Sequence, residues 1–130
     1  MAVLIDSDIL IEVTRARDAE ILEKWRDLAG SDREVLCSPV TVAELWHGAR
    51  PSEHPALEAL FSALKIIPID HEVGRRAGEF LNQYAKSHHV ELGDALIAAT
   101  ARLPGVELWT RNRKHYPMRP MKFFKDSRDA

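Results

Sequence analysis

Three carboxylates and one amide interrupt stretches that are otherwise apolar, and their types suit one kind of chemistry. Asp6 separates Ala2–Ile5 from Ile9-Leu10-Ile11. Glu44 lies in SPVTVAELWHGAR (38–50), Asp94 in ELGDALIAATARL (91–103) and Asn112 in LWTRNRKHYP (108–117). Carboxylates gathered at one edge repel each other and their pKa values rise unless a cation is bound. Oxygen donors with open positions favour Mg²⁺ or Mn²⁺. Zinc fits poorly, because the six histidines and one cysteine show no tight ligand spacing. The adjacent His88 and His89 face two ways on either a helix or a strand.

Each residue also has an ordinary explanation. Asp6, Ser7 or Asp8 could simply cap a helix. Glu44 lies off the stripe of Val42, Leu45, Trp46 and Ala49, as a solvated glutamate would. Thr41 stands three residues before it, and Gly48, four after, leaves space beside the carboxylate. Asp94 heads a helix in which every residue from Ala95 to Ala101 except Thr100 is apolar. A helix apolar all round is buried, and its dipole favours an acid in the first turn. Yet Val90, Glu91, Ile97 and Ala98, its helical neighbours, offer no cation. A carboxylate at the mouth of an apolar helix needs a partner to stay charged, and a metal ion could be that partner. Thr110 and Asn112 could cap a short helix, or Asn112 could lend a carbonyl oxygen to a metal or its water.

The elements that must position these groups alternate. Strands are expected at Ala2–Ile5, Glu34–Cys37, Lys65–Ile69, Glu107–Thr110 and, weakly, Met121–Phe124. Ile21, Leu22, Trp25 and Leu28 recur at helical spacing. Ser38-Pro39 opens a helix that Gly48 and Pro51 end. Asp70 caps a long helix through about Ser87, 88–93 is a break, and Asp94–Leu103 is a short helix closed by Pro104-Gly105. Such alternation predicts an α/β fold, a mostly parallel sheet with helices on both faces, in one domain over 1–130. Ligands of open α/β sheets gather at the carboxyl ends of strands, where Asp6 stands.

Composition is that of a globular chain, 45% hydrophobic and 29% charged, with no apolar run of membrane-spanning length. The first segment lacks a basic stretch and a cleavage site, so it reads as a strand and not an export signal. The single Cys37 has no internal disulfide partner, and a cytoplasmic location fits. The net charge of −2 hides an asymmetry. Residues 1–101 carry 17 acidic and 10 basic side chains, residues 102–130 three and eight. A basic tail region beside an acidic body suits a polyanion held near a cation site, or is merely solvated.

Taken together, VLIDSDILIE, SPVTVAELWHGA, LGDALIAATA and LWTRNRKHYP resemble, in order, the four motifs of PIN domains, most closely the VapC-type toxins of bacterial toxin–antitoxin pairs. The likeness runs along nearly the whole chain. It implies a compact three-layer α/β/α fold with a short, mostly parallel central sheet. It implies an endoribonuclease dependent on Mg²⁺ or Mn²⁺, a homodimer, and a VapB-type antitoxin that occupies the site. Asp6, Glu44 and Asp94 would hold the metal, while Asn112 and Thr110 would place water or metal. Many PIN nucleases carry Asp where Asn112 stands, which puts a tightly held second metal in question. Asp8 would orient the first helix end, and Glu91 would be an outer ligand. Arg111, Arg113, Lys114 and Arg119 would grip RNA phosphates, with Tyr116 a stacking surface or a packing residue.

Two other readings share some of these residues. Asp6-Ser7-Asp8 after an apolar strand resembles the Asp-x-Asp motif of haloacid-dehalogenase-like phosphatases, but the Thr or Ser, Lys and acidic pair that should follow are not found at suitable places. A PIN-like binding module with a degenerate site is the other, favoured by Asn112 and opposed by three retained carboxylates.

Overall fold

The computed structural model describes residues 1–125; residues 126–130 of the expected 1–130 domain lie outside the described residues. Four strands, β1 (Ala2–Ile5), β2 (Glu34–Cys37), β3 (Lys65–Ile66) and β4 (Val106–Trp109), form one parallel sheet in the order β3-β2-β1-β4. Among the described residues six α-helices flank it: α1 (Ser7–Arg15), α2 (Ala19–Ala29), α3 (Pro39–His47), α4 (His54–Ser62), α5 (His71–His88) and α6 (Leu92–Ala101). Among the described residues no helix is long and apolar enough to cross a membrane.

Strand alternation sorts the core into two layers. Leu4, Leu36 and Leu108 pack with Val73, Ala77 and Phe80 of α5 and with Ala95 and Ala98 of α6. Val3, Ile5, Cys37 and Trp109 face the other way, onto Ile9, Leu10, Ile21, Leu45 and Leu57 of α1 to α4. A parallel sheet covered on both faces needs apolar residues at successive positions, which is why the first strand reads as one unbroken run. Each fully buried Leu or Ile contributes about 1.5–3 kcal/mol relative to exposure.

Local chemistry sets most helix starts. Ser38 accepts a hydrogen bond from the Val40 N–H, with Pro39 in the first turn behind it. Asp18 and Asp70 cap α2 and α5 through the N–H groups of Ile21 and Val73. Asp6 itself is the N-cap of α1.

Several boundaries differ from expectation. β3 ends at Ile66, although the Ile67 N–H still bonds the Cys37 carbonyl at 2.9 Å; Pro68 then has no N–H to continue the ladder. β4 stops at Trp109 and leaves Thr110 just beyond the sheet. Met121–Phe124 forms only a single parallel bridge, Phe123 to Leu108. α6 begins at Leu92 and not at Asp94, so Gly93 is helical. The tight glycine is accordingly Gly93, where a Cβ would come within 3.3 Å of Val40 Cγ1; a Cβ on Gly48 would meet nothing within 4 Å. Close approach of α6 to α3 explains Gly93, whereas Gly48 borders open space in a second cleft that Glu44 also lines.

Sheet register brings the functional ends together. Ile5 pairs with Trp109, and the Asp6 N–H bonds the Trp109 carbonyl at 3.0 Å. Because all four strands run the same way, the starts of α1 and α3 and the segment after β4 share the carboxyl edge. α6, which leads back into β4, presents its N-terminus there.

Candidate active site

Asp6 is the most enclosed acid at this edge. Its Oδ1 accepts from the Ser7 N–H at 2.8 Å, and its Oδ2 accepts from the Thr110 and Tyr116 hydroxyls, each at 2.8 Å. Charge-assisted bonds of this kind are among the stronger ones in proteins. Burial first, then the Asp6 charge, pushes the Tyr116 hydroxyl far above its usual range, so it stays a donor. Tyr116 is buried, which removes it as a stacking surface for a base and leaves it a packing residue that also holds Asp6.

Ser7 links α1 to α3. Its Oγ lies 2.6 Å from Glu44 Oε1 and 3.1 Å from the fully buried Thr41 Oγ1. A hydroxyl has one proton to give; the carboxylate takes it, and Thr41 can donate to Ser7 in turn. Glu44 is therefore anchored toward α1.

Asp8, in the first turn of α1, receives two donors on one oxygen. Its Oδ2 accepts from the Arg111 N–H at 3.0 Å and from Asn112 Nδ2 at 2.9 Å. Its Oδ1 is buried with no hydrogen-bond partner. Burial, then the charge of Asp6, pushes the Asp8 carboxyl up to about 6. The Asn112 N–H also bonds Thr110 Oγ1 at 3.0 Å, so Thr110 connects the Asp6 and Asp8 halves of the edge.

Asp94 sits in the first turn of α6, where Oδ2 accepts from the Glu91 N–H at 3.3 Å and Oδ1 lies 3.9 Å from His115 Nδ1. Its carboxyl is raised chiefly by burial, with a further push from Asp6. Asp6, Asp8, Glu44, Asp94, Asn112 and Glu91 all line one open cleft of about 470 Å³, together with Ser7, His89 and His115.

The donors along this cleft are mostly oxygens, as a hard divalent cation requires. Asp8 Oδ1, charged and buried without a partner, is the kind of atom such a cation would relieve. Among the described residues, however, no three of His, Cys, Asp and Glu converge tightly enough to enclose an ion. Asp6 is turned toward three protein donors and Glu44 toward Ser7.

The basic residues after β4 do not line the cleft. Arg111 lies 3.5 Å from Glu12, a buried acid of α1 that Arg17 also reaches at 3.0 Å. Arg113 stacks its guanidinium over Phe123, 4.7 Å from the ring centroid. Lys114 and Arg119 are exposed.

A family model described as the PIN domain matches residues 3–119. The chain belongs to the PIN-domain family. It is 37% identical over 121 residues to Ribonuclease VapC10 of Mycobacterium tuberculosis, covering 89% of this chain and 86% of that one. It is 35% identical over 118 residues to Ribonuclease VapC19 of the same organism, covering 90% and 94%. Among solved structures, a toxin–antitoxin complex from Klebsiella pneumoniae superposes with a TM-score of 0.75 at 26% identity, covering 92% and 93%. DNA-bound VapBC from Salmonella typhimurium does so with a TM-score of 0.78 at 20% identity, covering 97% and 98%, which speaks for the fold alone.

Membership sets aside the phosphatase reading of Asp6-Ser7-Asp8. In this PIN domain the structure brings Asp6, Glu44, Asp94 and Asn112 to one cleft and sets Thr110 behind Asp6. It leaves the four basic side chains outside that cleft. Ser7 and His115 were not singled out from sequence. Ser7, flanked by two acids, carried a signal that could have been read; nothing near His115 in the chain points to Asp94.

Proposed function

We propose that this PIN domain is an endoribonuclease toxin, dependent on Mg²⁺ or Mn²⁺ and restrained by an antitoxin. The observation that carries the reading is the row of acids at the carboxyl edge of the sheet, Asp6, Asp8, Glu44 and Asp94, reached from one cleft. The VapC ribonucleases named above support it at more than a third identity.

Asp6, Glu44 and Asp94 would hold the ion, which keeps several waters of its own, as Mg²⁺ usually does. When bound, such an ion lowers the pKa of a water and offsets charge building on the phosphoryl oxygens. The chain's own residues prepare that site. Thr110 and Tyr116 donate to Asp6 and fix its carboxylate. Ser7 aims Glu44. Asn112 donates its amide to Asp8 and lines the cleft, where it would also place metal or water. Arg113, Lys114 and Arg119 lie outside the lining of the cleft and would position RNA through its phosphates, as would Arg111 where its pairing with Glu12 allows.

An antitoxin fits the same chemistry in reverse: an Arg or Lys side chain placed among the acids would supply the cation's charge. The toxin would act as a homodimer, in the cytoplasm. The unenclosed ligand set favours a second reading, a degenerate PIN-like module that binds RNA without cutting it.

RNA cleavage with Mg²⁺, with Mn²⁺ and with chelator separates the two. Nuclease activity that needs a divalent ion and disappears in Asp6→Asn, Glu44→Gln and Asp94→Asn is the expected result. RNA binding without cleavage under any ion would establish the binding module instead.

A further inference from the structure

Asn112 lines the cleft, and the structure shows what stands beside it. An ionised carboxylate can only accept hydrogen bonds, so the Asn112 amide must turn its nitrogen toward Asp8, as it does at 2.9 Å from Oδ2. The Arg111 N–H takes the same oxygen at 3.0 Å. Both donors come from one segment, the turn after β4, and both converge on one acid of α1. Asp8 Oδ1 is left buried without a partner, beside Asp6 and on the wall of the cleft.

We infer that Asp8 serves the cleft as a further acid beside Asp6, Glu44 and Asp94, and that Asn112 is a positioning residue whose amide holds Asp8 in place. The two residues form one unit with one charge. An Asp at 112 would set two carboxylates at hydrogen-bond distance, where they repel each other unless one takes up a proton. The unit is symmetric in chemistry: exchanging the residues, Asp8→Asn with Asn112→Asp, keeps one charge, one amide and the bond between them.

The inference rests on the metal-dependent reading only for its cation arm. That arm is Mn²⁺ binding by titration calorimetry to the wild type, Asp8→Asn, Asn112→Asp and the exchanged double variant. Groups that orient metal ligands typically account for about 10–100-fold in affinity. Asp8→Asn should thus weaken Mn²⁺ binding at least about tenfold. The double variant should recover most of that loss, a non-additivity expected only of residues in contact. The second arm is thermal melting without divalent ions. Asn112→Asp should melt below the wild type, Asp8→Asn at or above it, and the double variant should regain what Asn112→Asp loses.

Wild-type Mn²⁺ affinity in Asp8→Asn, or a double variant no better than Asp8→Asn, would overturn the assignment of Asp8 to the cation site. Asn112→Asp protein as stable as the wild type without metal would overturn the pairing. A wild type that binds no Mn²⁺ would sink the metal-dependent reading and the cation role of Asp8 with it, while the melting series would still decide the pairing on its own.

Discussion

Tyr116 and Asp6, 110 positions apart in the chain, share a buried 2.8 Å hydrogen bond at the carboxyl edge of the sheet. The bond ties the segment after β4 to the end of β1 and gives the most enclosed acid of the cleft its third donor. Tyr116→Phe removes that donor and little volume. Bonds to charged groups contribute about 1.5–3 kcal/mol, and the variant should lose a comparable amount in urea unfolding. A loss under about 0.5 kcal/mol would mean that Ser7 and Thr110 already satisfy Asp6.

Stability without divalent ions should depend on pH through Asp8. Its carboxyl is pushed from the ordinary 3.8 up to about 6, by burial first and by Asp6 second. Between about pH 4 and pH 6 the folded protein keeps a proton that the unfolded chain has released, so stability falls as pH rises through that window. Above it the full penalty stands, on the order of 3 kcal/mol. Asp94, raised in the same direction, adds to the fall. Urea unfolding across this range should show a shallower fall for Asp8→Asn than for the wild type. Parallel curves for the two proteins would show that Asp8 is not the group responsible.

RNA affinity should report the exposed cations. Lys114 and Arg119 are exposed and line no part of the acidic cleft. Each phosphate contact to a single strand contributes about 0.7 to the slope of log affinity against log salt. Lys114→Ala with Arg119→Ala should reduce that slope by about 1.4 and weaken binding alike across RNA sequences. An unchanged slope in fluorescence-anisotropy titrations would place the substrate elsewhere.

Cys37 should be inert while the protein is folded. It is fully buried, and burial pushes its thiol up to about 12. The thiolate is the reactive form. At pH 8, alkylation by iodoacetamide should run on the order of a thousandfold slower than in urea-unfolded protein. Mass spectrometry of timed samples reads the rate directly, and fast labelling of the native protein would reveal opening of the layer over β2.

The parts of this protein that were legible in the chain are those governed by neighbours in sequence. Ala2–Ile5 is a strand because a parallel strand covered on both faces has no polar side to alternate with. Ser38-Pro39 and Asp70 start helices because a cap needs only its own side chain and an N–H two or three residues on. The apolar run after Asp94 could only be a buried helix. The order of the motifs, and hence the family, followed from the same local segments.

Tertiary structure alone decided which partners those residues found. Ser7 meets Glu44 across 37 positions and Asp8 meets Asn112 across 104, because the Ile5–Trp109 register sets the end of β1 beside the segment that follows β4. No periodicity encodes such pairings, since they depend on how whole elements are stacked. The same packing turned Tyr116 inward to Asp6, drew Arg111 toward Glu12 and made Gly93, not Gly48, the close approach. Acids were visible in the sequence as charges; which of them stay charged, and against what, is set by burial and by donors that arrive from distant parts of the chain.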